Sequence, residues 1–169
     1  MKTQTSFRRF AFAGAVLFAV LCARGADMSS LKHSDKSFFE LAAKAGTEEV
    51  AISQIVLLHF TDPQIKDFAQ MMVTDHTGAN QELSALAARK GVSLPDKQPD
   101  TAKWEKKKAK GYDEAYIKEM VKDHDEAVEL FTKAANKAED PDVRAFAAKV
   151  LPTVQAHFEK AKALKKSVD

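Results

Sequence analysis

The stretch that decides the fold is DPQIKDFAQMMVTDHTGANQELSAL, residues 62–86. Its apolar side chains recur at alternating intervals of four and three residues, which is the period of one face of an α-helix. Asp62 and Pro63 are typical of a helix start, because aspartate caps the first N–H groups and proline fits the first turn. The stretch therefore predicts an amphipathic helix that ends before Gly91 and carries a histidine on its apolar face. That face consists of Ile65, Ala69, Met72, His76, Ala79, Leu83 and Leu86.

The same pattern returns 78 residues later in the chain. It begins at Asp140-Pro141, keeps the alternating spacing, and runs to about Lys165. Its apolar face again includes a histidine, His157. The repeat predicts a second helix of the same type.

Two further segments have a helical period and precede these two. One runs from Asp35, which we expect to be its N-cap, to about His59, and the other from about Asp113 to about Ala138. The connection at about 91–112 is too long for a tight hairpin. Two helical hairpins joined by a long crossover are a ferritin-like topology. The sequence thus predicts an all-α, ferritin-like four-helix bundle over residues 35–169.

Residues 1–25 have the layout of a secretory signal peptide, with basic residues, an apolar run and then small residues. The apolar run of about 13 residues is shorter than the roughly 20 that a membrane span needs. An uncleaved anchor is the alternative. We therefore expect a linker at residues 26–34 and export to the periplasm or cell envelope.

The leader also accounts for the positive charge of the whole chain. The sequence has 26 basic and 24 acidic side chains, and without residues 1–25 the balance is 22 basic against 24 acidic. This balance gives no reason to expect nucleic acid as a partner.

The crossover carries a basic stretch beside Trp104, which we expect to be solvated surface; peripheral contact with anionic lipid is the alternative. No feature names a protein partner or separates a monomer from a homo-oligomer. The basic stretch consists of Lys103, Lys106, Lys107, Lys108 and Lys110.

One titratable side chain per helix lies on the apolar face at a similar height. Glu49 is 13 residues before the first Asp-Pro turn, and His76 is 14 after it. His124 is 16 residues before the second turn, and His157 is 17 after it. At about 1.5 Å per residue, all four lie near mid-bundle if the turns are at opposite ends. Three imidazoles and a carboxylate are ordinary ligands of zinc, iron, copper or manganese, so these four residues are the predicted metal site.

Other polar and soft side chains lie close to these four. Glu48, Asp75 and Asp123 could orient the rings or add oxygen ligands. Met72 and Met120 precede two of the histidines by one turn, and we interpret them as core packing. The alternative to a metal site is a hydrogen-bonded polar network that only fixes helix register.

Four groups of residues carry a resemblance to a known family: Glu48-Glu49-Val50, Val73-Thr74-Asp75-His76, Tyr116 to His124, and Leu151-Pro152 followed by His157. In these the chain resembles the bacterial domain-of-unknown-function family 4142, over nearly all of residues 35–165. Members are described as predicted outer membrane or exported proteins. The resemblance implies a ferritin-like fold in the cell envelope and implies no settled activity.

The chain departs from di-iron bundles at two positions. Those bundles place glutamate three residues before two of their histidines. Here Val73 and Val154 precede His76 and His157, so a mononuclear, histidine-rich site is expected. We predict an exported metal-binding bundle for envelope metal handling or oxidative-stress protection. The alternative is a non-catalytic structural or interaction protein, and whether the chain is an enzyme is left open.

Overall fold

The computed structural model describes residues 31–59, 62–107 and 111–168, and its regular elements are helices. Four long helices confirm the predicted all-α bundle, and a single helical turn, α3, lies within the crossover. No β-strand occurs in the described ranges. The predicted signal peptide lies outside them. In chain order the helices are α1 (His33–Val56), α2 (Pro63–Arg89), α3 (Ala102–Glu105), α4 (Tyr112–Lys137) and α5 (Pro141–Val168).

Both Asp-Pro pairs begin a helix, as the sequence predicts. The carboxylate of Asp62 accepts a hydrogen bond of 2.7 Å from the N–H of Gln64. The carboxylate of Asp140 accepts one of 2.9 Å from the N–H of Asp142. These bonds satisfy N–H groups that have no partner within the first turn of a helix. Two antiparallel hairpins result, α1–α2 and α4–α5.

The start of α1 differs from the prediction, because Asp35 contacts the other hairpin. The helix begins at His33, inside the segment expected to be a linker, and Asp35 is its third residue, only 1% exposed. The Asp35 carboxylate accepts hydrogen bonds from the N–H groups of Glu139 and Asp140, at 3.1 and 2.8 Å. Asp35 therefore caps the α4–α5 turn and not its own helix.

Contacts between the hairpins place their turns at opposite ends of the bundle. The N–H of Asp62, in the α1–α2 turn, donates to the carboxylate of Asp113 near the start of α4, at 3.1 Å. The end of α2 lies at the start of α5, where Lys90 Nζ is 2.7 Å from Asp140 Oδ2. The crossover therefore runs the length of the bundle. This is the condition on which the predicted common height of the four donors depends.

The crossover is attached to the bundle by Trp104 of α3. The indole is 2% exposed and packs with Tyr112 and Tyr116, at ring-centroid distances of 6.4 and 6.3 Å. Lys103 is exposed and pairs with Glu119, at 2.7 Å. The expected solvated basic surface is thus interrupted by the buried side chain of Trp104. The hydrophobic period of the long helices does not predict this burial, because Trp104 lies outside them.

The apolar core consists of two clusters that meet at the predicted metal site. One cluster surrounds Phe38 and Phe131, and the other contains Trp104, Tyr116 and Met120. Each long helix contributes to both clusters, and its predicted ligand lies between the two contributions. A polar layer therefore divides the core. None of the helices in the described ranges is long and apolar enough to cross a membrane.

Candidate metal centre

The four long helices each bring one of the predicted ligands to the polar layer. Glu49 comes from α1, His76 from α2, His124 from α4 and His157 from α5. The exposed fractions of Glu49, His124 and His157 are 2%, 0% and 2%. The side chain of His76 is 12% exposed. The site is therefore shielded from bulk water and is approached most closely by solvent at His76.

The three imidazoles converge on one point. One nitrogen from each of His76, His124 and His157 lies within 4.8 Å of the other two. Ring centroids are separated by 5.6 Å between His76 and His124, and by 5.4 Å from each of these to His157. These separations are close enough for a shared ion if the nitrogens approach one another by up to about 1.5 Å, toward the roughly 3.3 Å nitrogen spacing of a tetrahedral site.

Glu49 lies against two of the three rings. Its Oε2 is 3.4 Å from His76 Nε2, and its Oε1 is 3.5 Å from His124 Nδ1. The carboxyl group thus reaches the same layer from α1, as predicted from the turn counts. The structure therefore brings the three histidines to one point and places Glu49 beside two of them, outside the group whose ligand atoms lie within 4.8 Å of one another.

Two rings are held by hydrogen bonds on their outer nitrogens. His124 Nδ1 is 2.9 Å from the carbonyl oxygen of Met120, and His157 Nε2 is 2.9 Å from Asp75 Oδ2. A carbonyl or carboxylate oxygen only accepts, so each of these ring nitrogens donates its N–H. The other nitrogen of each ring, His124 Nε2 and His157 Nδ1, then carries a lone pair. This arrangement is the one that orients metal-binding histidines in proteins.

The inward atoms of the site have no hydrogen-bond partner in the protein. They are buried, and each could donate a lone pair to a cation. Buried polar atoms are nearly always paired, and an unpaired one costs about 1–3 kcal/mol. Several such atoms at one level therefore form an unusual site. They are Glu49 Oε2, His76 Nε2, His124 Nε2 and His157 Nδ1.

The three flanking carboxylates have different positions. Asp75 binds His157, which is the orienting role predicted for it, on a ring of another helix. Asp123 Oδ1 lies 3.3 Å from Lys122 Nζ, and the negative charge of Asp123 contributes to the raised pKa of Glu49. Glu48 lies toward solvent with a side chain 39% exposed, 3.9 Å from Lys44 Nζ. The structure therefore brings Asp75 to the rings and leaves Glu48 outside.

Burial sets the protonation of the site. The pKa of Glu49 is raised well above its ordinary value, because burial disfavours the carboxylate and the charge of Asp123 adds to this effect. Burial, with the neighbouring rings, lowers the pKa of His76 to about 3 and that of His124 to about 4. Burial also lowers the pKa of His157, against the opposing effect of Asp75. The three imidazoles are therefore neutral at pH 7, the form that binds metal ions.

A family model described as Domain of unknown function (DUF4142) matches residues 21–164. The chain belongs to this family. The match confirms the resemblance carried by the residues around Glu49, His76, His124 and His157. A comparison of the DUF4142 chain with curated proteins finds no match.

Solved structures share the fold of this DUF4142 chain at low sequence identity. A DUF305 fragment from Deinococcus radiodurans is 10% identical, with 81% of this chain and 98% of that chain covered, at a TM-score of 0.71. CopM in its Cu(I)-bound form is 16% identical, with 79% and 96% covered, at a TM-score of 0.68. A putative spore coat protein from Bacillus halodurans C-125 is 15% identical, with 81% and 89% covered, at a TM-score of 0.67. At these identities the likeness shows the fold alone.

Two features of the DUF4142 site were missed by the sequence reasoning. Met120 contributes its backbone carbonyl to the site, while its side chain is fully buried in the core as expected. The four-residue spacing to His124 is the available signal, because a ring can bond the carbonyl one turn earlier. The sequence predicts that Asp75 could orient a ring but does not identify the ring, which is that of His157, 82 residues away. Nothing local identifies that partner.

Proposed function

We propose that this chain binds one transition-metal ion at the polar layer, through His76, His124 and His157 with Glu49 as the carboxylate ligand. We place this activity in metal handling or oxidative-stress protection in the cell envelope. The candidate ions are zinc, iron, copper and manganese, since all accept imidazole and carboxylate ligands.

The observation that carries the proposal is the hydrogen-bond pattern of the rings. His124 and His157 donate their N–H groups to outer acceptors, so the other nitrogen of each ring keeps a buried lone pair without a protein partner. Glu49 and His76 add buried atoms without a protein partner. A single cation held by the three imidazoles would give each ring a favourable contact, and Glu49 Oε2 lies 3.4 Å from the Nε2 of one of them, His76.

The same pattern weighs against a polar network that only fixes helix register. Such a network stabilises a fold when its members are satisfied, and it is worse than an apolar core when they are not. Here the rings contact Glu49 at 3.4 and 3.5 Å without forming hydrogen bonds to it through His76 Nε2 or Glu49 Oε2. A register network would be expected to close these contacts.

Copper is the ion to test first. The fold is shared with CopM, whose structures include Cu(I)-, Cu(II)- and Ag-bound forms. Imidazole suits both oxidation states of copper, and an ion of this kind supplies one-electron chemistry when bound. Zinc, iron and manganese are the competitors in the same assay.

The test is metal analysis of untagged protein, purified from its native compartment and also reloaded after treatment with a chelator. We expect about one ion per chain, as for a single preformed site. His124→Ala and His157→Ala should lose the ion, because each removes a buried donor atom. His33→Ala is the matched control, since His33 is exposed at the start of α1. A chain that holds no ion, and gains no thermal stability from any of the four, would refute the proposal.

A second variant tests the orienting bond separately from the ligands. Asp75→Ala removes the acceptor of His157 Nε2 and leaves all four donor atoms in place. Loss of such a partner typically weakens metal affinity about 10- to 100-fold. Competition titration against a chromogenic chelator measures this. Affinity within twofold of the wild type would show that the Asp75 bond has no part in binding.

The envelope location has its own test. Mass spectrometry of the chain isolated from fractionated cells should find it in the periplasmic or envelope fraction, with an N-terminus near residue 26. Recovery in the cytoplasmic fraction with residue 1 retained would refute this part while leaving the metal site untouched.

A further inference from the structure

A cavity of about 40 Å³ lies directly beside the candidate metal centre. Glu49, His76 and His157 form part of its wall, and the remainder is mainly apolar. Three of the buried atoms without a protein partner, Glu49 Oε2, His76 Nε2 and His157 Nδ1, belong to these wall residues. The cavity and the donor atoms are therefore one continuous feature.

Small residues leave this space open between the helices. Larger side chains at the same positions would fill it, and the neighbouring level is filled by Phe131 and Phe146. The small residues of the wall are Ala42, Ala45, Gly46, Ala79 and Ala127. A Cβ at position 46 would lie 2.1 Å from Asn80 Oδ1, so glycine is what lets Asn80 lie against α1 at the edge of the cavity.

The size and polarity of the cavity define its ligand. An engineered apolar cavity of about 150 Å³ holds a molecule the size of benzene, so a cavity of about 40 Å³ suits a much smaller molecule, of two or three heavy atoms. The mainly apolar wall disfavours a charged or fully hydrated occupant, while the unpartnered atoms of Glu49, His76 and His157 offer a few polar contacts on one side. A dioxygen-sized neutral molecule fits both requirements.

The cavity also has a route to the surface. An external groove between α2 and α5 shares Asp75, Ala79, Val150 and Thr153 with the cavity wall. Thr153 is exposed, and the Asp75 side chain is 38% exposed. The side chains that border both the cavity and the groove are therefore the ones that a small molecule from solvent would have to pass to reach the donor atoms.

We propose that this cavity binds a small uncharged molecule of dioxygen size against the donor atoms of Glu49 and His157. Contact between this molecule and a bound ion rests on the proposed function, whereas binding in the cavity does not. An ion held by the three imidazoles would leave a position open beside the cavity, as catalytic sites with three protein ligands do and closed structural sites do not.

The first experiment uses xenon as the probe on the full chain after removal of metal by a chelator. Amide chemical shifts should change with xenon pressure at residues of the cavity wall. Ala127→Leu should reduce the change at least several-fold, because its side chain extends into the space. Ala79→Val is a milder filling variant should Ala127→Leu fail to fold. Ala88→Leu is the control, since Ala88 is exposed on α2. Absence of xenon-dependent shifts, or equal shifts in the filled variants, would overturn the proposal.

The second experiment uses carbon monoxide on the Cu(I)-loaded chain. A C–O stretching band in the infrared spectrum, weakened in Ala127→Leu but not in Ala88→Leu, would support an open position facing the cavity. A loaded chain that gives no band would overturn that placement. Failure of the chain to take up any ion would instead refute the proposed function, and the xenon result would still decide whether the cavity binds a neutral molecule.

Discussion

Replacement of Asp35 tests how the two hairpins are held in register. Its carboxylate is 1% exposed and accepts hydrogen bonds from two N–H groups of the α4–α5 turn. A hydrogen bond to a charged group contributes about 1.5–3 kcal/mol, so the pair contributes about 3 kcal/mol or more. Asp35→Ala should therefore lower the free energy of unfolding by about 3 kcal/mol.

The sequence suggested another role for Asp35, and a second substitution separates the two. An N-cap is worth about 1 kcal/mol, and serine replaces aspartate there with little loss. The short serine side chain has one oxygen and cannot serve both N–H groups across the hairpin interface. Asp35→Ser should thus be nearly as unstable as Asp35→Ala.

The assay is urea denaturation followed by far-ultraviolet circular dichroism, at pH 7.5 with a chelator present to remove the contribution of metal. Asp67→Ala is the control, because Asp67 is exposed on α2. A loss of about 1 kcal/mol in Asp35→Ala, restored in Asp35→Ser, would refute the interpretation of Asp35 as a contact between hairpins.

Two further predictions concern the metal-free chain. Tyr116→Phe should lower the free energy of unfolding by about 1–2 kcal/mol, because it removes the 2.7 Å hydrogen bond to the buried Ser53 hydroxyl. Adding Ser53→Ala should recover part of this stability, because no hydroxyl is then left without a partner. Thermal or urea unfolding measures both, and an unchanged stability in Tyr116→Phe would contradict the prediction. The pKa of His124 is about 6.5 in the unfolded chain and about 4 in the folded chain. Between pH 6.5 and pH 4 the unfolded chain therefore binds more protons at this residue, so the stability contributed by the neutral ring is complete above pH 6.5 and falls as the pH drops toward 4. At roughly 1.4 kcal/mol per pKa unit the fall is about 3 kcal/mol, and urea unfolding of His124→Leu should show a shallower dependence on pH; equal slopes would disprove the assignment.

The positions of the four candidate ligands could be predicted from sequence because they depend on regular geometry. Helical period places Glu49, His76, His124 and His157 on the apolar faces, and residue counts from the two turns give their heights. Neither step requires knowledge of side-chain conformation. The one assumption, that the turns lie at opposite ends, is met by the Asp35 and Lys90 contacts.

The orienting contacts and the cavity could not be predicted in the same way. The bond from His157 to Asp75 depends on the rotation of α5 against α2, and Asp35 reaches across to a turn more than 100 residues away. Trp104 lies in a segment without periodicity, so its burial left no pattern to detect. The cavity is a space that the side chains of the four helices do not fill, and its presence depends on how all four helices pack together.

The division of the ligands between the hairpins has a consequence for when an ion can be captured. Glu49 and His76 belong to the α1–α2 hairpin, while His124 and His157 belong to the α4–α5 hairpin. A separate hairpin offers two donors, too few for a tight site, so strong binding begins only when the hairpins dock. An ion bound as proposed would therefore link the two hairpins, and its binding free energy would add to the stability of the docked state. A nascent or partly unfolded chain would therefore bind metal weakly. Which ion is bound would then depend on the geometry of the folded polar layer.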